Sequence, residues 1–246
     1  MCGRYVSSSQ PDEIARYFGA EMSESLATEA GAPNFNVAPS TNVFVVLESG
    51  ETRRLEEARW GLVPSWAKDL SIGAKMINAR AETLATKNAF KRSFERRRCI
   101  IPADGFYEWK VVPGQKRKQP MYIHRADGDR FAFAGLWELW RNRDEPEAPP
   151  LRTCTIITGE PNEKVAEIHD RMPVMLPPDV WGTWLDCENH DLELLGKLLV
   201  PAPASLIAVH PVSTAVNNVR NKQASLVDRI DPEAGPDAAV QASLLL

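Results

Sequence analysis

The sequence predicts an α+β fold, a single domain built on antiparallel, barrel-like β-sheet with peripheral helices. Three observations carry that expectation. Short β-branched and aromatic runs follow one another closely, at residues 99–101, 106–110, 121–124, 131–136 and 153–157. Helical patterns are brief and scattered, without the regular strand–helix alternation of a parallel sheet. The chain has 246 residues, 43% hydrophobic and 25% charged, enough for one sizeable core and short of the ~250–300 residues beyond which chains split into domains.

The elements follow in order. Pro11–Phe18 opens with Pro-Asp-Glu, an acidic first turn that suits the positive end of a helix. A polar, small-residue stretch leads to Pro33. Residues 43–47 form a β-branched run closed by turn chemistry at Ser49-Gly50, which predicts a strand. Residues 60–66 contain Gly61 and Pro64 and read as an ordered, aromatic-rich loop. From 81 to 98 the pattern is helical, with Leu84, Phe90 and Phe94 on one face. Lys87, Lys91, Arg92, Arg96, Arg97 and Arg98 occupy the others. Asp127-Gly128 marks a hairpin turn. Residues 161–168 and 178–185 read as two short helices. The Ala-, Pro- and Asp-rich end reads as a loose tail, dividing the chain into a domain of 1–228 and a tail of 229–246.

Composition excludes several classes. The net charge of -4 gives no global attraction to nucleic acid or anionic membrane, so a polyanion would have to meet a local basic patch. No apolar run approaches the ~18–20 residues of a membrane span, and the N-terminus lacks the apolar core of a secretory leader. Cys2, Cys99, Cys154 and Cys187 are far apart with no Cys-x-x-Cys, which reads as reduced thiols. The expectation is a cytoplasmic protein, given a bacterial source, with nothing that demands more than a monomer. Walker A, dinucleotide-glycine and His-Glu-x-x-His patterns are absent, and Cys187 with His190 lacks a second pair of ligands. No metal and no cofactor is called for.

Cys2 is the most informative position. Initiator methionine is generally removed before a small residue, and removal here would leave an α-amine and a thiol on one residue. The amine has a reference pKa of ~7.7–8.0 and the thiol one of ~8.5, so both are usable nucleophiles near neutral pH. Such a 1,2-aminothiol takes an aldehyde as a Schiff base and then closes a thiazolidine ring on the same carbon. Glu108 lies between aromatics in Phe-Tyr-Glu-Trp, where a lone charge suits proton transfer better than a solvated strand position. His169 follows a short helix; histidine shuttles protons near neutral pH, though taken alone such a position more often holds a surface or capping histidine. Asn78 offers hydrogen bonds only, and the sequence does not choose between a site and a turn.

An ordered series of motifs adds to this. Met1-Cys2-Gly3-Arg4-Tyr5, Phe35-Asn36-Val37-Ala38-Pro39, Trp60-Gly61-Leu62-Val63-Pro64-Ser65-Trp66 and Ile77-Asn78-Ala79-Arg80-Ala81-Glu82-Thr83 come first. Pro102-Ala103-Asp104-Gly105-Phe106-Tyr107-Glu108-Trp109, Ile168-His169-Asp170-Arg171-Met172-Pro173 and His210-Pro211-Val212-Ser213 follow. Together they resemble the SOS response-associated peptidase family, whose members process abasic sites in single-stranded DNA. The likeness runs from residue 1 to about residue 228. It implies that Asn78, Glu108 and His169 surround Cys2. It also implies that Arg4, Arg80 and Arg171 contact phosphates, that Trp66 stacks on a base, and that Asn36 and Pro39 line the same cleft.

On that resemblance the expected activity is covalent capture of abasic single-stranded DNA through Cys2, with self-processing of Met1 as the peptidase step. Two other readings stay open. The Cys-Gly start also occurs in class II glutamine amidotransferases, although Arg4 replaces their usual aliphatic residue. A non-catalytic single-strand DNA sensor is the other. The basic run at 87–98 would widen an electrostatic footprint, but most of it reads as a solvated helix face. Trp60, Trp109, Trp137, Trp140, Trp181 and Trp184 read as core or rim.

Overall fold

The computed structural model describes residues 2–23, 26, 32–50 and 52–232. Strands β1 (Tyr5–Ser7), β2 (Glu21–Met22), β3 (Asn34–Val37), β4 (Asn42–Ser49), β5 (Thr52–Trp60) and β6 (Asn78–Arg80) occupy the first third. They are followed by β7 (Arg98–Ala103), β8 (Gly105–Lys110), β9 (Gln119–Arg125) and β10 (Phe131–Trp140). The last are β11 (Leu151–Gly159), β12 (Met172–Pro173) and β13 (Ile207–Pro211).

Five strands close on themselves. β11, β10, β7, β4 and β5 are successive antiparallel neighbours. β5 then returns to β11 by the parallel pairs Thr153↔Arg59 and Cys154↔Trp60, closing a barrel. A second, wholly antiparallel sheet runs β13-β9-β8-β1-β3. The α+β, barrel-like expectation is thus met.

Period-two alternation divides each barrel strand between two cores. Val45, Cys99 and Ile101 join Tyr5, Phe106 and Ile123 of the second sheet. Their neighbours Val46 and Ile100 turn the other way, into a core shared with Ile14, Phe18, Phe94, Trp181 and Trp184. The helices that cover that outer face are short. Pro11–Phe18 matches its expected bounds, with proline at its start, Asp12 and Glu13 in its first turn, and Gly19 at φ 60° closing it.

Three expectations need correction. The pattern at 81–98 is not one helix: a 3-10 turn spans Ala81–Thr83, turns follow, and the α-helix covers only Lys91–Arg96. Thr83 and Thr86 hydroxyls donate to the carbonyls of Arg80 and Thr83, giving the backbone a local alternative to the helix ladder. Arg98 does not face solvent. It is buried at the start of β7, and its guanidinium donates to the carbonyls of Phe94, Glu95, Trp184, Asp186 and Asn189. Five carbonyls accept from that buried guanidinium. Third, Trp60 belongs to the end of β5, so the aromatic loop begins at Gly61. The helix expected at 161–168 is present as Glu163–Ala166, and that at 178–185 as a 3-10 turn, Pro178–Val180, leading into the helix Trp181–Leu185.

At the C-terminal end, Val212 bridges to Arg229 and the Ile230 amide donates to the Pro211 carbonyl at 3.0 Å. The remainder of the expected tail, 233–246, lies outside the described residues.

The loop after β5 is fixed by two glycines back to back. Gly61 has φ 125°, and a Cβ at Gly73 would lie 2.6 Å from the Gly61 carbonyl oxygen. The Leu62 amide donates to Met76 O at 3.1 Å, which holds the two segments together. Because the clashing atom is backbone, Gly73→Ala cannot be absorbed by a rotamer change. We expect it to lower stability by about 1–3 kcal/mol, read as a lower urea midpoint at unchanged slope; an unchanged midpoint would contradict this packing.

Candidate functional site

Glu108 owes its position to strand alternation. On β8, Phe106 and Glu108 share a face, while Tyr107 and Trp109 share the other. Phe106 packs in the core that contains Cys2, whereas Tyr107 belongs to a separate cluster against which Trp109 packs. Glu108 is only 3% exposed, as its setting between aromatics predicts. Burial raises its pKa, against which the charge of His169 acts in part.

Cys2 is wholly buried beside it. Burial, and next the Glu108 carboxyl, push the thiol well above its ordinary range; the hydrogen bond from the Arg4 backbone offsets only part of this. In this arrangement Cys2 is a neutral thiol beside a carboxyl with a raised affinity for protons. Asn78 approaches from β6, whose parallel register sets Asn78 opposite Ile156. Its Nδ2 donates to Cys2 O at 2.8 Å. Its Oδ1 is buried and finds no hydrogen-bond partner among the described residues, which leaves an acceptor at the site.

His169 follows the helix Glu163–Ala166, which Asn162 caps by accepting from the Val165 amide at 3.0 Å. The His169 amide donates to Val165 O at 2.9 Å, so the ring leaves from the helix's last turn. His169 Nδ1 lies 2.8 Å from Asp170 Oδ1 and 3.1 Å from the Arg171 amide nitrogen. It can serve these partners only alternately, donating to the carboxylate when protonated and accepting from the amide when not. Cys2, Asn78, Glu108 and His169 therefore converge from four parts of the chain.

The other six residues divide into groups. Arg4 Nη1 donates at 2.8 Å to both Asn36 Oδ1 and Val216 O, and its guanidinium lies 5.9 Å from the Trp109 ring centroid. Asn36 is 1% exposed, and its Nδ2 lies within hydrogen-bond reach of the carbonyls of Val216, Asn218 and Asn221. These two thus anchor the 215–221 segment under β3. That segment was not singled out in the sequence; its Asn217-Asn218 pair is a turn signal and was the one available clue.

Arg80 and Arg171 meet at Thr158. Arg80 is the exposed end of β6, opposite Thr158, and Arg171 Nη2 donates to Thr158 O at 2.7 Å. Arg171 also holds Glu82 through two bonds, at 2.7 and 2.9 Å. That pairing raises the Arg171 pKa and lowers that of Glu82. Pro39 is half-buried and precedes Ser40, whose φ of 69° is unusual for a residue with a side chain. The Ser40 amide donates to Trp60 O at 2.8 Å, so this turn is tied to the end of the barrel. Trp66 stands apart and is 54% exposed. The other six tryptophans are buried or half-buried, in line with their reading as core or rim. No helix among the described residues is long and apolar enough to cross a membrane.

The family model described as SOS response associated peptidase (SRAP) matches residues 1–219. The abasic site processing protein YoqW of Bacillus subtilis is 45% identical over 228 residues, covering 93% of this chain and 99% of that one. The abasic site processing protein YedK of Escherichia coli is 32% identical over 235 residues, covering 94% of this chain and all of its own. A crystal structure of a Bacteroides thetaiotaomicron protein superposes with a TM-score of 0.83 over 94% of this chain and all of its own. At 22% identity that last likeness speaks for the fold alone. A family match over most of the chain, with relatives this similar over their whole length, shows that the chain belongs to the SOS response associated peptidase family.

Proposed function

We propose that this protein processes abasic sites in single-stranded DNA by forming a covalent thiazolidine link through Cys2 once Met1 has been removed. The observation that carries the reading is the convergence on Cys2 of a buried carboxyl with a raised proton affinity and an amide that holds the Cys2 backbone. The names of the relatives YoqW and YedK support the substrate class. We read the peptidase activity of the family's name as the removal of Met1, which exposes the α-amine.

The Glu108 carboxylic acid gives its proton to the sugar ring oxygen as the C1′–O4′ bond breaks, and the C1′ hydroxyl proton leaves to His169. The Cys2 amine attacks the resulting aldehyde at C1′, one amine proton passes to the carbonyl oxygen, and His169 returns its proton to that hydroxyl, which departs as water and leaves an iminium. The Glu108 carboxylate, now deprotonated, takes the thiol proton as sulfur bonds to C1′. The sum is aldehyde plus aminothiol giving thiazolidine plus one water. Ring closure is intramolecular and so benefits from a high effective concentration. An open iminium would acidify the 2′ protons and allow strand cleavage by β-elimination, so capture by sulfur protects the strand. Asn78 holds Cys2 in place, with its Oδ1 available to a sugar hydroxyl. Arg4, Arg80 and Arg171 meet phosphates, Trp66 stacks on a base, and Asn36 and Pro39 shape the cleft wall.

Intact-mass measurement after incubation with an abasic oligonucleotide tests the chemistry. Wild type is expected to lose Met1 and gain one DNA adduct, and Cys2→Ala to gain none. Cys2→Ser is expected to give an imine trapped only by borohydride; a hydrolysis-resistant serine adduct would overturn the thiazolidine step. Release of ammonia from glutamine without an adduct would favour the amidotransferase reading.

The raised pKa of Glu108 fixes the direction of the pH effect. Its acid form persists to higher pH than that of an ordinary glutamate, so adduct formation falls as pH rises through that elevated value. Glu108→Gln is expected to slow adduct formation by about 10²–10⁴-fold and to abolish that limb of the profile. A variant with an unchanged limb would remove Glu108 from the acid role.

A further inference from the structure

We propose that the helix Lys91–Arg96 and Trp66 form a second DNA subsite, an open groove for the phosphate backbone of the strand as it leaves the Cys2 cleft. The proposal rests on the abasic-DNA reading above and extends it to a surface beyond the reacting sugar.

The groove is lined by Trp66, Asn88, Lys91, Arg92, Glu95 and Arg96. Lys91, Arg92 and Arg96 are all exposed, and among the described residues none of them has an ion-pair partner. Several arginines elsewhere are held by carboxylates. Arg53 pairs with Glu48, Arg97 with Glu138, Arg130 with Glu13, Arg152 with Glu56 and Arg171 with Glu82. In a chain of net charge -4, acidic groups are plentiful, yet this helix keeps three cations together. Like charges so close on one short helix repel. After burial, Arg92 is the second cause of a lowered pKa at neighbouring Arg97. Mutual repulsion of this kind is relieved by an anion.

The platform is rigid. Ser93 and Phe94 are buried on the helix's inner side, and Arg98 takes the Phe94 and Glu95 carbonyls. Trp66 sits on the loop locked by Gly61 and Gly73. An exposed aromatic ring beside unpaired cations is the chemistry of sequence-independent single-strand binding, in which rings stack on bases and cations follow phosphates. In sequence, the 81–90 turns lead from Arg80 at the end of β6 to Lys91. Glu95 is the one acidic side chain in the groove's lining, and it opposes an anion there.

The test compares abasic single-stranded oligonucleotides just long enough to fill the cleft with ones several times longer, for wild type and the Lys91→Ala/Arg92→Ala/Arg96→Ala variant. With the long strand, losing three phosphate contacts is expected to reduce the log–log salt slope by about 2 and to weaken affinity at low salt by about tenfold. With the short strand the two proteins are expected to bind alike, and saturating DNA is expected to give the same adduct yield. Glu95→Lys should tighten long-strand binding, a gain that a folding defect cannot produce. Equal losses on both lengths, or an unchanged salt slope, would overturn the subsite. Absence of any adduct with wild type would instead remove the Cys2 chemistry, leaving the length dependence to be judged separately.

Discussion

The barrel and the site both depend on one strand that must satisfy its backbone on two edges. β11 is buried from Thr153 to Gly159, so each amide and carbonyl there needs a partner. One edge pairs with β10 as far as Ile156, then with β12 at Thr158 and Gly159. The other pairs with β5 at Thr153 and Cys154, then with β6 from Ile156 to Thr158. The first halves of these pairings close the barrel. The second halves collect the site: β6 carries Asn78 and Arg80, β12 directly follows His169 and Arg171, and Thr158 O accepts from Arg171. A ring of five strands could close without β6 or β12. What β11 adds is a change of partner on both edges, and the candidate site gathers where its partners change.

The second sheet supplies the remaining half. β8 lies between β9 and β1, so Glu108 is held on a central strand and Cys2 just ahead of the edge-ward neighbour. The Tyr107 amide donates to Arg4 O at 3.0 Å and locks the two strands in register. A one-residue slip would turn Glu108 toward the Tyr107 cluster and away from Cys2. Core packing and site geometry are therefore the same constraint here, because Phe106 and Glu108 can only move together.

Much of this was legible in the residues. Proline at its start and Gly19 at its end delimit Pro11–Phe18, and five short apolar runs gave five strands. The motif series named Cys2, Asn78, Glu108 and His169, residues that sequence distance alone would never have joined. What stayed hidden has a physical reason. β5 reads Thr-Arg-Arg-Leu-Glu-Glu-Ala-Arg-Trp, and its charges mask a strand that sends Leu55 into one core and Ala58 and Trp60 into the other. The run at 81–98 has helical spacing, but Leu84, Phe90 and Phe94 reach one core from turns and a short helix in sequence. Periodicity reports which side chains go inside and is silent on how the backbone carries them there. Arg98 shows the same limit: a sixth cation in a basic run looks solvated until five carbonyls are found around it.

The arginines also explain how a protein of net negative charge can address a polyanion. Charge that is already paired, as in Arg171 with Glu82, gives geometry more than attraction, because a phosphate must compete with a carboxylate for the same guanidinium. Arg4 is drawn inward as well, with bonds to Asn36 and Val216 and its pKa lowered by burial. Both are suited to orienting a strand in a cleft, since their positions are fixed before the strand arrives. Long-range attraction needs exposed charge that no ion pair holds, which Lys91, Arg92 and Arg96 provide among the described residues on a separate helix. Under the reading proposed, orientation and attraction are divided between surfaces. The burial of Cys2 and Glu108 then keeps the raised proton affinity that the chemistry uses, away from the cations that bring the strand in.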